Sequence, residues 1–248
     1  MNPSPALVAI LMCAHAAVAQ NIVVNGGFES PVVTTGWAQR LPGAVFGSWT
    51  VDSTGQGVAH VGSFGNPFAV EGLQSVELNF YQACGISQVV PTTGGGHYRL
   101  AFFLAGQLNA GPDVKHMRID WDGAEVATVT WDRAAAGGAW EPHAFNLTAS
   151  GPFTTLHFFG IENVDGGPYL DAVSLVPVCS AADLGSTGGI HQSDGVLDNN
   201  DFIAFIDYFF AGDPIADMGR QGGIGPGDGV FNNNDFIVFI DRFFGGCG

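Results

Sequence analysis

Basic side chains are scarce in this sequence. Its 248 residues carry seven Lys and Arg against 23 Asp and Glu, for a formal net charge of −16. A nucleic-acid partner is not expected, because phosphate binding needs a basic footprint. Charged residues of both signs make up only 12%, few for a soluble surface. Beyond the N-terminal stretch no apolar run is long enough to span a bilayer. Catalytic signatures are missing as well. There is no HExxH, and Gly85-Ile86-Ser87-Gln88-Val89 begins like a nucleophile elbow but lacks the closing Gly. His116, His143 and His157 fall on strand patterns without metal-ligand spacing, and read as structural. A carboxylate pair for glycoside hydrolysis can be drawn from Glu71, Glu77, Asp120, Asp122, Glu141 and Glu162, but nothing selects one. No enzymatic activity is expected.

The N-terminal stretch also lacks something, since its first cationic side chain is Arg40. Ala6 to Ala19 is nonetheless apolar and ends Ala17-Val18-Ala19, a small-x-small cleavage pattern. Residues 1–20 therefore read as a signal peptide, which makes the protein secreted, extracellular or bound at a cell surface. Leu11-Met12-Cys13 is a poor lipoprotein box, with Met where a small residue belongs. Cleavage leaves Cys84, Cys179 and Cys247. In an oxidising compartment Cys179 and Cys247 form the expected bridge, bracketing everything between them. Closing so long a loop stabilises by about 4 kcal/mol in the chain-entropy model. Cys84 is the odd one and reads as simply buried.

Turns are plentiful. With Gly 37 and 12% aromatic residues, residues 21–178 alternate apolar and polar positions in short runs. These include Trp49-Val51, Gly57-Val61, Ser75-Asn79, Ile86-Val90, Tyr98-Leu104, His143-Leu147, Thr155-Phe159 and Tyr169-Val176. The clearest hairpin joins Val114-Trp121 to Glu125-Trp131 through Asp122-Gly123. Met117, Ile119 and Trp121 share one face of its first strand, and His116, Arg118 and Asp120 the other. A β-sandwich or jelly roll follows.

Residues 179–248 contain one unit written twice. ADLGSTGGIHQSDGVLDNNDFIAFIDYFF from Ala182 matches ADMGRQGGIGPGDGVFNNNDFIVFIDRFF from Ala216, at a constant offset of 34. All ten acidic residues after Cys179 are Asp, as a tight loop would favour. Asp194-Gly195, Asp198 and Asp201 fit the fifth, sixth, ninth and twelfth positions of a calcium loop, as do Asp228-Gly229, Asn232 and Asp235. Asp183 and Asp217 read as first ligands displaced by an insertion holding Gly188-Gly189 or Gly222-Gly223. Calcium is thus the expected cofactor. Phe202, Phe205, Ile206 and Phe209 then recur at helical spacing, as do Phe236, Phe239, Ile240 and Phe243, with Gly212 and Gly245 as stops.

Loop–helix, twice, resembles the dockerin-like modules at the C-termini of secreted bacterial proteins. The resemblance implies docking to a cohesin-like or cell-surface protein. VVNGGFESP, GLQSVELN, GISQVV, YRLAFFLAG and YLDAVSL resemble the domain-of-unknown-function 642 family over nearly all of residues 21–178. That resemblance implies a galactose-binding-like jelly roll, association with polysaccharide, and a structural calcium between Glu29 and Asp171.

The expected fold is therefore mainly β: a galactose-binding-like jelly-roll β-sandwich over 21–178 with a small α-helical dockerin-like domain over 179–248. Sugar binding needs an exposed aromatic platform. Trp37, Tyr81, Trp121, Trp131, Trp140 and Tyr169 are the candidates, with Trp37 and Trp140 favoured because they fall in expected loops. The reading is a non-catalytic polysaccharide-binding protein; the alternatives are a glycoside hydrolase or polysaccharide lyase with a dockerin tail, and a structural adhesion or matrix protein.

Overall fold

The structure is a computed structural model and describes residues 20–62 and 69–246. The expected signal peptide lies outside the described residues except for Gln20. Two antiparallel sheets of six strands face each other. One runs β1 (Trp37–Arg40), β4 (Val58–Val61), β5 (Ser75–Glu77), β12 (Pro168–Val178), β7 (His97–Gly106), β10 (Glu141–Thr148). The other runs β2 (Val45–Phe46), β3 (Trp49–Val51), β6 (Cys84–Pro91), β11 (Phe153–Gly160), β8 (Val114–Trp121), β9 (Ala124–Asp132). The first sheet carries a groove on its outward face and is the outer-groove sheet.

Period-two alternation builds the core. Met117, Ile119 and Trp121 point inward from β8, and meet Leu100, Phe102 and Leu104 of β7 and Leu170 and Leu175 of β12 in one apolar cluster. Trp121 and Trp131 are 7% and 0% exposed, so neither is a sugar platform. Their large rings fill the space between sheets, while the Trp131 Nε1–H finds the Ala139 carbonyl at 2.8 Å. Asp122 and Gly123 both take positive φ, 54° and 79°, as the β8–β9 hairpin requires.

The NGGFE segment closes the sandwich. Gly26 lies against β12 with no space for a side chain, since a Cβ there would meet the Val173 carbonyl oxygen at 1.9 Å. The Val173 N–H donates to Gly26 O at 3.0 Å, and the Ile22 N–H to Leu175 O at 2.8 Å. Phe28 is fully buried, and its carbonyl accepts from the Gln74 amide at 2.7 Å. First and last segments of the jelly roll are thus zipped together beside a bulge in β12 between Asp171 and Ser174.

Residues 179–246 form a second, smaller core. Helices α2 (Asn199–Ala211) and α3 (Asn233–Gly245) pack through Phe205 and Phe239, stacked at 4.2 Å. Each helix opens with a capping box, Asp198 with Asp201 and Asn232 with Asp235. Gly212 caps α2 in the left-handed region; Gly245 is the last residue of α3, and its cap is Gly246. This unit sits on the outer-groove sheet. Arg99 of β7, 8% exposed, donates to Ser193 Oγ at 2.5 Å, and Ser193 donates on to the Asp183 carbonyl at 2.6 Å. No helix among the described residues is long and apolar enough to cross a membrane.

Lys115, the chain's single lysine, sits on the inward face of β8 and is fully buried. Its ammonium donates to three carbonyls, Ala110 at 3.0 Å, Pro112 at 2.8 Å and Gly166 at 2.7 Å. All three donors are matched, so two neighbouring loops are tied to the end of the core. Lys115→Met should leave those carbonyls unpaired and destabilise the protein by about 3 kcal/mol. Urea denaturation of both proteins checks this; an unchanged midpoint would count against the tie.

Candidate functional site

Strand register defines a second surface. On the outward face of the outer-groove sheet Gln39 pairs with Ala59, Ala59 with Glu77, Glu77 with Tyr169, and Tyr169 with Ala105. Trp37 pairs with Val61, and Val61 with Ser75. Partners directly opposite in an antiparallel sheet share a face, so Trp37, Glu77 and Tyr169 look out of the same side. Above them lies a groove of about 360 Å³ whose lining also includes Phe80, Tyr81, Gln107, Asn109 and Asp165.

One wall of the groove is aromatic. Trp37 is 52% and Tyr81 50% exposed. Phe80 bridges them, 5.1 Å from the Trp37 ring and 4.6 Å from the Tyr81 ring. Trp37 lies on edge strand β1 rather than in a loop, and that strand is what aims it into the groove. Trp140 stands just before β10 at the opposite edge, half-buried, with its ring 6.5 Å from Tyr169. It flanks the groove without lining it. Tyr169 itself is nearly buried, 3% exposed.

The polar floor is acidic. Glu77 is 6% exposed and accepts the Gly167 N–H at 3.0 Å. Burial, reinforced by the charge of Asp165, pushes its carboxyl up to about 7 against the opposing Gly167 and Tyr169 hydrogen bonds. Burial and Glu77 push the Tyr169 phenol upward too. Near neutral pH Glu77 is therefore partly protonated and able to donate as well as accept. The sequence offered Glu77 only as one of six carboxylates, and Asp165 not at all. The other five do not line the groove. Asp120 is held by Arg118 at 2.9 Å and by His157 at 2.9 Å, Asp122 by Ser150 at 2.7 Å, and Glu162 by His116 at 2.6 Å.

Among the histidines, His157 is gripped on both ring nitrogens, by Asp120 and, at 3.1 Å, by Asp52. Burial disfavours its charge, but those two carboxylates outweigh it and raise the pKa. His143 is not fully satisfied: its ring stacks on Phe102 at 5.4 Å, and its buried Nε2 has no partner among the described residues.

The carboxylates expected to hold calcium accept backbone N–H groups. At one corner of the jelly roll Asp171 Oδ2 takes Val70 at 2.6 Å and Glu71 at 3.0 Å, and Oδ1 takes its neighbour Ala172 at 2.7 Å. Glu29 Oε1 takes Leu73 at 2.8 Å and Gln74 at 2.7 Å. The two clamp one short loop from both sides. Glu71 adds a third carboxylate here, its carboxyl carbon 2.8 Å from where a Gly27 Cβ would stand. Burial, with the Glu71 charge adding to it, pushes Asp171 up to about 7.

In the tail, Asp183 takes the N–H groups of Cys179, Asp194 and Gly195, and Asp201 those of Leu184, Gly185 and Asp198. Thirty-four residues on, Asp217 takes Asp228 and Gly229, and Asp235 takes Met218, Gly219 and Asn232. Asp194, Asp198, Asp228 and Asn232 each cap a nearby N–H, at Val196, Asn200, Val230 and Asn234. Among the described residues no three His, Cys, Asp or Glu side chains are placed to hold a metal ion together. Cys179 is disulfide-bonded, and its expected partner Cys247 lies outside the described residues. Cys84 is free and buried.

With the sandwich, its NGGFE closure and its groove described, comparison with known proteins places the chain. The sequence profile of the proteins of unknown function DUF642 matches residues 9–176. The chain belongs to the DUF642 family. No curated protein matches this DUF642 chain. Among solved structures it is similar to TmCBM61 in complex with β-1,4-galactotriose, at 19% identity, covering 64% of this chain and 99% of that one, with a TM-score of 0.44. The CBM22-1 xylan-binding domain of Paenibacillus barcinonensis Xyn10C gives 14% identity, 64% and 96% coverage and a TM-score of 0.40. The enzymatically active domain of bacteriophage CBA120 tailspike protein 4 gives 17%, 64% and 21%, and 0.36.

The raised Glu77 pKa sets a pH dependence. In the unfolded chain the group ionises near pH 4.5, whereas in the fold it ionises near 7. Between those values the folded state binds more protons, so its stability falls as pH rises through the window, by up to about 3 kcal/mol from this group. Denaturation at pH 5 and pH 8 should show a smaller loss in Glu77→Gln than in the wild type. Equal losses would mean that Glu77 ionises as an ordinary carboxylate.

Proposed function

We propose that the outward groove binds an extracellular polysaccharide. The observation that carries this is the register-aligned surface on which exposed aromatic rings border a polar, acid-lined trough. Trp37 and Tyr81 offer flat faces to the C–H faces of sugar rings. Glu77, Asp165, Gln107 and Asn109 offer donors and acceptors for hydroxyls. The groove crosses β1, β4, β5 and β12, which suits an extended stretch of chain.

The reading is of a secreted binding protein, not a catalyst. One observation favours the hydrolytic alternative: Glu77, held near neutral pKa beside Asp165, has the protonation a general acid needs. Release of reducing ends from a bound polysaccharide, lost in Glu77→Gln, would decide for that alternative.

The tail completes the proposal as a dockerin-like docking module, disulfide-bonded from Cys179 to Cys247, for a cohesin-like or cell-surface protein. Phe210 and Phe244, equivalent residues of the two repeats and each 78% exposed, supply apolar surface for such a contact. Calcium enters the reading at the jelly-roll corner. Glu29 and Asp171 clamp the same loop there with no cationic side chain bonded to them among the described residues, and carboxylate oxygens are the donors a hard cation takes.

Polysaccharide pull-down and affinity electrophoresis test the groove. Trp37→Ala should weaken binding about tenfold, close to 1.4 kcal/mol, with Trp140→Ala much less affected. Equal binding by wild type and Trp37→Ala would place the ligand elsewhere. At the corner, calcium should raise the melting temperature of the wild type but not of the Glu29→Gln, Asp171→Asn double variant; a calcium-indifferent wild type would remove the ion from the proposal.

A further inference from the structure

Each tail repeat pairs two carboxylates whose oxygens point at backbone amides; Asp183, Asp201 and Asp235 are buried and Asp217 is half-buried. In the first repeat Asp201 Oδ1 accepts Leu184 N–H at 2.7 Å and Gly185 N–H at 2.8 Å, and Oδ2 accepts Asp198 N–H at 2.7 Å. Asp183 accepts Asp194 N–H on Oδ1 at 3.1 Å, and Gly195 at 3.1 Å and Cys179 at 2.9 Å on Oδ2. The second repeat reproduces the Asp201 set at Asp235, with Met218, Gly219 and Asn232 each at 2.8 Å.

The chain just after the first carboxylate packs tightly against the start of the helix that carries the second. A Cβ on Gly185 would stand 2.2 Å from the Asn200 carbonyl oxygen and 2.9 Å from the Asp201 nitrogen. Gly219 meets Asn234 in the same way, at 2.3 Å. The insertion that displaced the first acidic position turns back through a bridge between Ser186 and Ile190, copied at Arg220 and Ile224. It is then pinned to the helix N-terminus by Gly189 N–H to Asn200 Oδ1 at 3.2 Å, and by Gly223 to Asn234 at 3.2 Å. In a calcium loop the ion draws the first and twelfth positions together. Here the twelfth carboxylate instead binds the backbone that follows the first position, Leu184-Gly185 or Met218-Gly219.

We infer that both tail loops are closed by carboxylate–amide bonds and need no metal ion, with Asp201 and Asp235 acting as the clasps. The donor set of the tail therefore does not fit the calcium that the loop spacing suggested. The jelly-roll corner is a separate matter and stands or falls on its own residues.

Full-length protein settles this with two readouts. Amide exchange at Leu184, Gly185, Met218 and Gly219 should be slow and equal, within about twofold, in calcium and in chelator. In Asp201→Asn with Asp235→Asn, exchange at those amides should quicken at least about tenfold, while calorimetric calcium stoichiometry stays at the wild-type value. Faster exchange on chelation of the wild type overturns the inference. So does a stoichiometry that drops by two in the tail variant. A chain that binds no calcium at all would sink the corner proposal and leave this one standing. A stoichiometry that falls only in the Glu29→Gln, Asp171→Asn variant supports both.

Discussion

The bond from a carboxylate to a backbone N–H is the interaction this structure depends on. Acid outnumbers base by 23 to seven, so most carboxylates have no cation to meet. Those that are buried still need partners, because an unpaired ionised group in a dry interior is strongly unfavourable. Backbone amides at turns and helix starts supply them: they carry partial positive charge and would otherwise be unpaired themselves. Asp171 and Glu29 hold one loop of the sandwich, Glu77 holds Gly167, and Asp201 and Asp235 hold the tail. Each bond satisfies two needs at once, and each fixes a turn.

Two of the few cations, Lys115 and Arg99, are placed where amides cannot do the work. Lys115 gathers three carbonyls, the opposite requirement, and so steadies the loops at one end of the outer-groove sheet. Arg99 stands toward the other end of β7, under the tail, where it reaches Ser193 and, through it, the Asp183 carbonyl. Burial pushes its guanidinium downward, against the opposing charges of Tyr208, Asp183 and Asp201. One strand thus runs from the tail seam at Arg99 to the groove side at Ala105, which pairs with Tyr169. The tail covers part of the face whose remainder carries the aromatic rings. Groove and tail therefore share a rigid element.

How far the sequence could be read depended on whether the signal was local. Strands from Trp49 onward, the Asp122-Gly123 hairpin and both tail helices were legible, because periods of two and 3.6 and turn residues act within a few positions. The four-residue strand β1 was not, since Trp37–Arg40 has too few alternations to register. That hid the reason Trp37 is presented. The groove was illegible for a different reason: Glu77, Tyr169 and Trp37 come together only through the pairings of β1, β4, β5 and β12. Trp121 and Trp131 showed the converse, as an alternating strand does not say which of its faces meets a second sheet.

The tail makes the same point about chemistry. Asp at regular loop spacing suits a cation and suits a row of backbone amides equally well, because both are positive partners for oxygen. Differences between the two copies help to separate these uses. Asp183, Gly185, Asp194, Gly195, Asn200 and Asp201 recur unchanged at 217, 219, 228, 229, 234 and 235, whereas Asp198 becomes Asn232. A helix cap needs only an acceptor oxygen, and Asn supplies one as well as Asp does; the Asn234 N–H meets it at 2.8 Å. A calcium loop, by contrast, loses one of its few charges in that exchange. The glycines recur with the carboxylates because the clasp needs both: an acid to accept the amides, and a bare backbone that can reach it.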